Sequence, residues 1–357
     1  MVYAFKRLAL GFGLITLASA ILLLADVDRR SADPGRPTRL AIMQHVESTL
    51  MEDGVRGVME SLAARGYRHG ERGVTIERFN AQGDMATSAA IASQLVGAGY
   101  DLVITSSTPS MQAVANANKE GRARHVFALV ADPFAAGVGL DRAQPLKHPA
   151  HLVGQGSFPP VDTAFEYARR LLPSLTRVGV AWNPSESNSL AFVQRGRAVA
   201  AKMGITLLEA NADSTAAVGD AIASLIAREA QAIWVGGDNT LAAAIDSVIA
   251  IARRNRVPIF TVLPGPPDRG TLFDTGFDFV EVGRRTGQLA ADVLEGADMT
   301  KIPIVDVGDL VQPFLSVNTT VLDGLREHWQ APDHLLASAN VVVDKTGVHR
   351  RAAGGRR

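Results

Sequence analysis

Residues 177–189 read RVGVAWNPSESNS. RVGVAW (177–182) is a short apolar run rich in strand formers. NPSESNS (183–189) turns polar at once, with a proline turn and five hydroxyl or amide side chains. From 188 to 203 the pattern is helical, and Gly204 ends it. The segment is therefore a strand, a loop and a helix, with more polar groups at the junction than one helix cap requires.

The same unit repeats on both sides. Towards the C-terminus come strand ITLLEA (205–210), helix 215–229, strand AIWVG (232–236) and helix 239–254. That helix carries Leu241, Ile245, Val248 and Ala252 on one face. Strands VPIFTV (257–262) and GTLFDTG (270–276) and helix 281–295 follow, closed by Gly296. Towards the N-terminus, RLAIM (39–43) is a strand. A helix then carries Met51, Val55, Val58 and Leu62 on one face and stops at Gly66. GVTIERF (73–79), an Ala-rich helix over 85–98, DLVIT (101–105), a helix from Pro109 to about Asn118, and HVFALV (125–130) follow; helix 162–171 leads into the second series. Strands alternating with helices imply parallel sheets. Two successive arrays of similar size imply an α/β protein of two lobes, each a parallel sheet flanked by helices, with a ligand cleft between them.

The chain of 357 residues suits two domains rather than one. Lys+Arg and Asp+Glu are both 36, so no global field favours nucleic acid or an anionic surface. The absence of cysteine excludes disulfides, thiolate metal sites, a cysteine nucleophile and a lipid anchor on cysteine. Lys6 and Arg7 precede an apolar run from Leu8 to Ala25. This is the order of an export signal, and Ala18-Ser19-Ala20 is an acceptable cleavage site. The run is also long enough for an uncleaved membrane anchor. Residues 1–25 are thus expected to be a signal peptide or anchor, and 26–38 a linker. Lobe 1 is expected over 39–157 and lobe 2 over 158–284. Residues 285–344 should form crossover and closing helices, partly returning to lobe 1, and 345–357 a disordered basic tail. The bulk of the protein is expected to be periplasmic or otherwise extracytoplasmic.

In parallel sheets, ligands sit beyond the carboxyl ends of the strands. The loops there are QHVEST (44–49), SSTPS (106–110), ADPFAAG (131–137), NPSESNS (183–189), GGDNT (236–240) and LPGPPD (263–268). They supply the candidates Gln44, His45, Ser106, Ser107, Thr108, Asp132, Asn183, Glu186, Ser187, Asn188, Ser189, Asp238 and Asn239, with Asp278 beyond the last strand. Hydroxyls and amides at helix starts suit an anion such as a carboxylate. Asp132, Glu186, Asp238 and Asp278 suit an ammonium group. Trp182, Phe134, Phe158 and Phe277 are candidates for an apolar wall. Each also has a plain structural role open to it, as a helix cap or a core side chain. His148 and His151 fall in a Pro-containing loop and read as surface residues. No nucleophile elbow, P-loop or zinc-protease motif is present, and no cofactor is implied.

FNAQGD (79–84), DLVITSSTPSMQA (101–113), ADPFAAGVG (131–139), RVGVAWNPSESNS (177–189), IWVGGDNTLAAAIDSV (233–248), RVPIFT (256–261), GFDFVEVGRRTGQLAADVLEG (276–296) and PDHLLASANVVVD (332–344) occur in that order. Together they resemble the ABC-transporter substrate-binding family that includes tryptophan- and other aromatic-amino-acid-binding proteins. The first-strand loop, MQHVES, departs from the family's Val-Glu-His-Pro-like stretch, and LPGPPDRG is longer and richer in proline. The resemblance implies a type I periplasmic binding fold and a passive receptor rather than an enzyme. Such a receptor is a monomer that closes on a small zwitterionic solute and delivers it to an ABC permease in the membrane. Ser187, Asn188 and Ser189 would offer donors to a carboxylate, with Asp238, Asn239 and Asp278 facing the ligand and Ser106, Ser107 and Thr108 holding it from lobe 1. A membrane-tethered ligand sensor of the same fold is the alternative. A transcription regulator would need a DNA-binding motif ahead of residue 39, and none is there.

Overall fold

The computed structural model describes residues 37–351. The expected signal or anchor and all of the linker before residue 37 lie outside the described residues, as does the tail from residue 352. Among the described residues, no helix is long and apolar enough to cross a membrane.

Lobe 1 begins with β1 (Arg39–Gln44), α1 (Thr49–Ala64), β2 (Thr75–Asn80), α2 (Met85–Gly97), β3 (Leu102–Ser106), α3 (Thr108–Ala117), β4 (His125–Val130) and β5 (Leu152–Gly156). The chain then crosses to lobe 2 for α4 (Val161–Leu171), β6 (Arg177–Trp182), α5 (Ser187–Lys202), β7 (Thr206–Asn211), α6 (Val218–Ala227), β8 (Ala232–Val235), α7 (Asn239–Ala243), α8 (Ile245–Arg254), β9 (Ile259–Thr261) and β10 (Phe273–Gly276). It returns to lobe 1 for α9 (Phe279–Leu294) and β11 (Val305–Asp306). A third crossing leads to β12 (Phe314–Asn318), α10 (Asp333–Ser338), β13 (Val341–Asp344) and β14 (Gly347–Arg350) in lobe 2.

The lobe 1 sheet has the order β11-β5-β4-β3-β1-β2 and is parallel throughout. The lobe 2 sheet runs β14-β13-β12-β10-β9-β8-β6-β7. It is parallel from β7 to β10, and β12 joins β10 antiparallel. Central strands are buried on both faces, which is why they read as continuous apolar runs. Strand order reverses between β1 and β3 in lobe 1 and between β6 and β8 in lobe 2. A crevice opens at such a point, at the carboxyl ends of the strands. The loops after β1, β3, β6 and β8 therefore border the space between the lobes.

Five details differ from the sequence reading. LVGQG (152–156) is a fifth lobe 1 strand that its two glycines concealed; Gly154 makes room for a ring, since a Cβ there would lie 2.5 Å from Phe127. The expected helix 239–254 is two helices, α7 and α8, meeting at Ala244. The 285–344 region is not all helical, because β12 and β13 extend the lobe 2 sheet. The tail is ordered past 345: β14 pairs antiparallel with β13 around a turn in which the Thr346 N–H donates to Asp344 at 2.7 Å. The basic composition of GVHRR masked that hairpin. Residues 279–284, expected with lobe 2, open α9, which packs on α1. The two backbones meet so closely that a Cβ on Gly57 would lie 2.0 Å from the Val280 carbonyl oxygen.

Candidate functional site

The lobe 2 side is built from two strand-to-helix junctions held together by buried carboxylates. Glu186 precedes α5, yet its side chain serves the start of α7. It accepts from the Asn239 N–H (3.1 Å), Asn239 Nδ2 (2.6 Å), the Thr240 N–H (3.1 Å), Thr240 Oγ1 (2.8 Å) and Asn188 Nδ2 (3.1 Å). Asp238 caps α7, accepting from the Leu241 N–H at 2.8 Å. It also accepts from the Asn183 N–H at 2.7 Å and from the Ser189 hydroxyl. Both carboxylates are buried, and among the described residues neither pairs with a lysine or arginine. Burial, and then the neighbouring Glu186 charge, push the Asp238 carboxyl up to about 7, against the pull of its hydrogen bonds. Asn188 donates to the Gly237 carbonyl at 2.6 Å, and its Oδ1 is buried without a protein partner.

A cavity with about 40 Å³ of room for water-sized centres lies between the lobes, inside about 430 Å³ of non-atom space that runs out to solvent. Asn188, Gly237, Asp238 and Asn239 line it from lobe 2, and Thr108 and Ser157 add polar groups from the other side. The remaining wall is apolar: Leu50, Met51 and Leu129 from lobe 1, Phe192 and Leu263 from lobe 2, and Phe279 at a crossing. The first turns of α1, α3, α5 and α7 all reach this cavity; the Asn239, Thr240 and Leu241 N–H groups of α7 are taken by Glu186 and Asp238, whereas α5 starts with no side-chain cap. The lobes touch directly. The Ser187 hydroxyl donates to Gln112 Oε1 on α3 at 3.1 Å, and Gln112 Nε2 donates to the Ala136 carbonyl at 2.8 Å.

Four of the sequence candidates line the cavity: Thr108, Asn188, Asp238 and Asn239. Asn183, Glu186 and Ser189 stand behind them as supports, and Ser187 joins the lobes. Ser107 caps α3 and bonds the Ser110 hydroxyl at 2.9 Å, while the Ser106 hydroxyl is turned towards the Met51 sulfur at 3.8 Å. His45 Nδ1 bonds the Ser88 hydroxyl at 2.8 Å. Burial holds its pKa down, partly offset by Glu186 and Asp84. Gln44 is bonded to Glu52 (3.0 Å) and Arg78 (2.7 Å) at the β2 side of the sheet. Asp132 closes its own turn, accepting from the Phe134 N–H at 3.0 Å, and pairs with Arg142 at 3.2 Å. Asp278 is placed differently from the expectation. It caps α9, accepting from the Val280 N–H at 2.9 Å, and is exposed in an outer groove with Asp53 and Arg56.

The expected aromatic wall is likewise rearranged. Phe158 stacks on Phe192 at 4.5 Å and Phe134 lies under Arg142, whereas Phe277 and Trp182 pack on the lobe cores. The rings that reach the cavity are Phe192 and Phe279. Phe192 follows Asn188 by one helical turn, a spacing that would have pointed to it. Phe279 directly follows Asp278. Leu129 carried no signal, being one apolar residue in an apolar strand.

The sequence profile of the ABC transporter substrate binding protein family matches residues 39–343. The chain belongs to that family. This substrate-binding protein is 29% identical over 285 residues to a tyrosine-binding protein of Clostridioides difficile (strain R20291), covering 80% of this chain and 81% of the relative. A domain from Streptococcus pneumonia solved in complex with L-Trp matches with 26% identity and a TM-score of 0.75, covering 85% of this chain and 100% of that one. A ligand-free, open substrate-binding protein with adhesive properties from Clostridium difficile matches with 29% identity but a TM-score of 0.58, covering 83% and 96%. The two-lobed type I binding-protein fold is common to these neighbours. With similar identity, the likeness is lower to the open relative, as expected for a chain whose lobes meet through Ser187 and Gln112.

Proposed function

We propose that this substrate-binding protein is the extracytoplasmic receptor of an importer, that it acts as a monomer, and that its ligand is an L-amino acid with an aromatic side chain. The observation that carries this is the chemistry of the lobe 2 wall. The buried Asp238 carboxylate and the unpartnered Asn188 Oδ1 line a cavity, with the buried Glu186 carboxylate behind them and no lysine or arginine paired with either carboxylate among the described residues. A positively charged donor of ammonium type matches that wall, and charge-assisted bonds are roughly twice as strong as neutral ones. The N-terminus of α5 and the Thr108 hydroxyl suit the carboxylate of the same molecule. The remaining wall of Leu50, Met51, Leu129, Phe192, Leu263 and Phe279 suits a large apolar side chain. The tyrosine- and L-Trp-binding relatives support this choice. Closure of the lobes around such a ligand would present one shape to a membrane permease.

The test is a thermal-shift series with tyrosine, tryptophan and phenylalanine, their decarboxylated amines, and a set of sugars and nucleosides. At about 100 times its dissociation constant a ligand adds roughly 2.7 kcal/mol. Stabilisation by the amino acids, reduced with the amines, is expected. Stabilisation by sugars or nucleosides alone would overturn the reading.

A further inference from the structure

The carboxyl end of β4 contains an irregularity that points into the cavity. Phe127 pairs with Gly154 and Val130 with Gly156, so three steps along β4 match two along β5. The extra residue is absorbed where Leu129 adopts φ 53. A leucine in the left-handed region is strained and persists only where its surroundings impose it. A bulge of this kind re-aims a side chain, and here Leu129 joins Leu50 and Met51 in the apolar wall. The facing helix is cleared for it: a Cβ on Gly54 would lie 2.2 Å from Leu129 Cδ1. Gly54 follows Leu50 by one turn of α1, so both belong to the face turned towards the cavity. The bulge is also held from the next strand, since the Ser107 N–H donates to the Ala128 carbonyl at 3.1 Å.

We propose that Leu129 is the gauge of this cleft, the residue that sets how large an apolar side chain the ligand carries. The proposal rests on the amino-acid reading above. The polar groups of lobe 2 are fixed by mutual hydrogen bonds, so a ligand gripped there cannot slide to relieve crowding. The far end of its side chain must fit against whatever lobe 1 presents. Leu129 presents a branched end whose position is set by its backbone and by the missing Cβ of Gly54. These two residues should therefore tune ligand size in opposite directions.

The experiment is calorimetric titration of leucine, phenylalanine, tyrosine and tryptophan into the wild type, Leu129→Ala, Gly54→Ala and the double variant. One methylene of room is commonly worth about 10-fold or more in discrimination. Leu129→Ala should raise the preference for tryptophan over phenylalanine by about that factor. Gly54→Ala, which drives Leu129 into the cavity, should lower it by as much, and the double variant should return towards the wild-type ratio. Equal changes for all four ligands, or none, would overturn the proposal and leave Leu129 a packing residue. If Leu129→Ala does not fold, Leu129→Gly, which tolerates the positive φ, replaces it. Should the wild type bind none of the four, the amino-acid reading fails on its own. The gauge is then read with indole alone: binding to the folded Leu129 variant but not to the wild type supports it, and no binding to either sinks it.

Discussion

The two walls of the cleft are made by the same kind of unit, a strand leading into a helix, yet they are finished differently. In lobe 2 the polar side chains are cross-braced: Glu186 of one loop holds the helix start of the next, and Asp238 holds Asn183 and Ser189 in return. In lobe 1 the hydroxyls of Ser106 and Ser107 are turned towards neighbouring side chains, and the surface offered to the cavity is mainly Leu50, Met51 and Leu129. On the proposed reading, one wall would recognise what all amino acids share, and the other what distinguishes them. Fixed polar groups suit the first task because their geometry is set before the ligand arrives. Apolar contacts suit the second because they discriminate by volume.

This division makes predictions that fall in order of size. The largest effect should come from removing charge on the lobe 2 wall. Asp238→Asn should weaken binding of an aromatic amino acid by roughly 100-fold, the upper end for a hydrogen bond to a charged group. Its melting temperature without ligand should stay within a few degrees of wild type. A calorimetric affinity unchanged by this substitution would break the comparison at its polar end.

Next in size is pH. A carboxyl raised to about 7 is favoured in its protonated form by the folded state. Its ionisation costs stability in the ligand-free protein as pH rises from the unfolded value near 4 through 7, with no further change from this group above that. An ammonium ligand prefers the ionised form, so the sign is reversed for binding. Affinity should be roughly 30-fold weaker at pH 5.5 than at pH 8, with a proton released on binding below pH 7. Titrations in two buffers of different ionisation enthalpy would show the proton, and Asp238→Asn should abolish the dependence.

A smaller effect belongs to the contact between the walls. Gln112 does not line the cavity, so Gln112→Ala should act on closure alone. A net hydrogen bond of about 0.5–1.5 kcal/mol corresponds to roughly 2- to 10-fold. The loss should be the same for every ligand, because it changes only the population of the binding-competent state. A loss that differs between tryptophan and leucine would show that Gln112 acts on the ligand wall and not on closure alone. The smallest effect is expected at Asp278. As a helix cap in an outer groove, Asp278→Ala should cost about 1 kcal/mol of stability and leave affinity unaltered.

The alternation of strands and helices, and with it the two lobes, was legible because period-two and period-3.6 patterns change cleanly at each loop. RVGVAWNPSESNS contains its strand, its turn and its helix start in order. The lobe 2 candidates were legible for the same reason, since a loop with surplus hydroxyls and amides is conspicuous. Two things were hidden. Which oxygen faces the ligand and which braces a neighbour depends on contacts between distant loops, such as Glu186 with Thr240. Where a bulge falls depends on register against another strand, so Leu129 looked like any other core leucine. At Asp278 the sequence is silent because a carboxylate at a strand end reads alike whether it caps a helix, as it does at the start of α9, or meets a ligand. The hairpin at 341–350 was missed because its outer strand is short, exposed and basic.

The three crossings between lobes also bear on how the chain is born. Lobe 1 is not contiguous: its sheet is finished by β11 at 305–306, after the whole parallel part of lobe 2 has been made. Lobe 2 in turn waits for β12 to β14, ending at Arg350. Lobe 1 can complete its sheet only once residue 306 is available, and lobe 2 only once Arg350 is. The last pairings to form in each sheet therefore join strands distant in sequence.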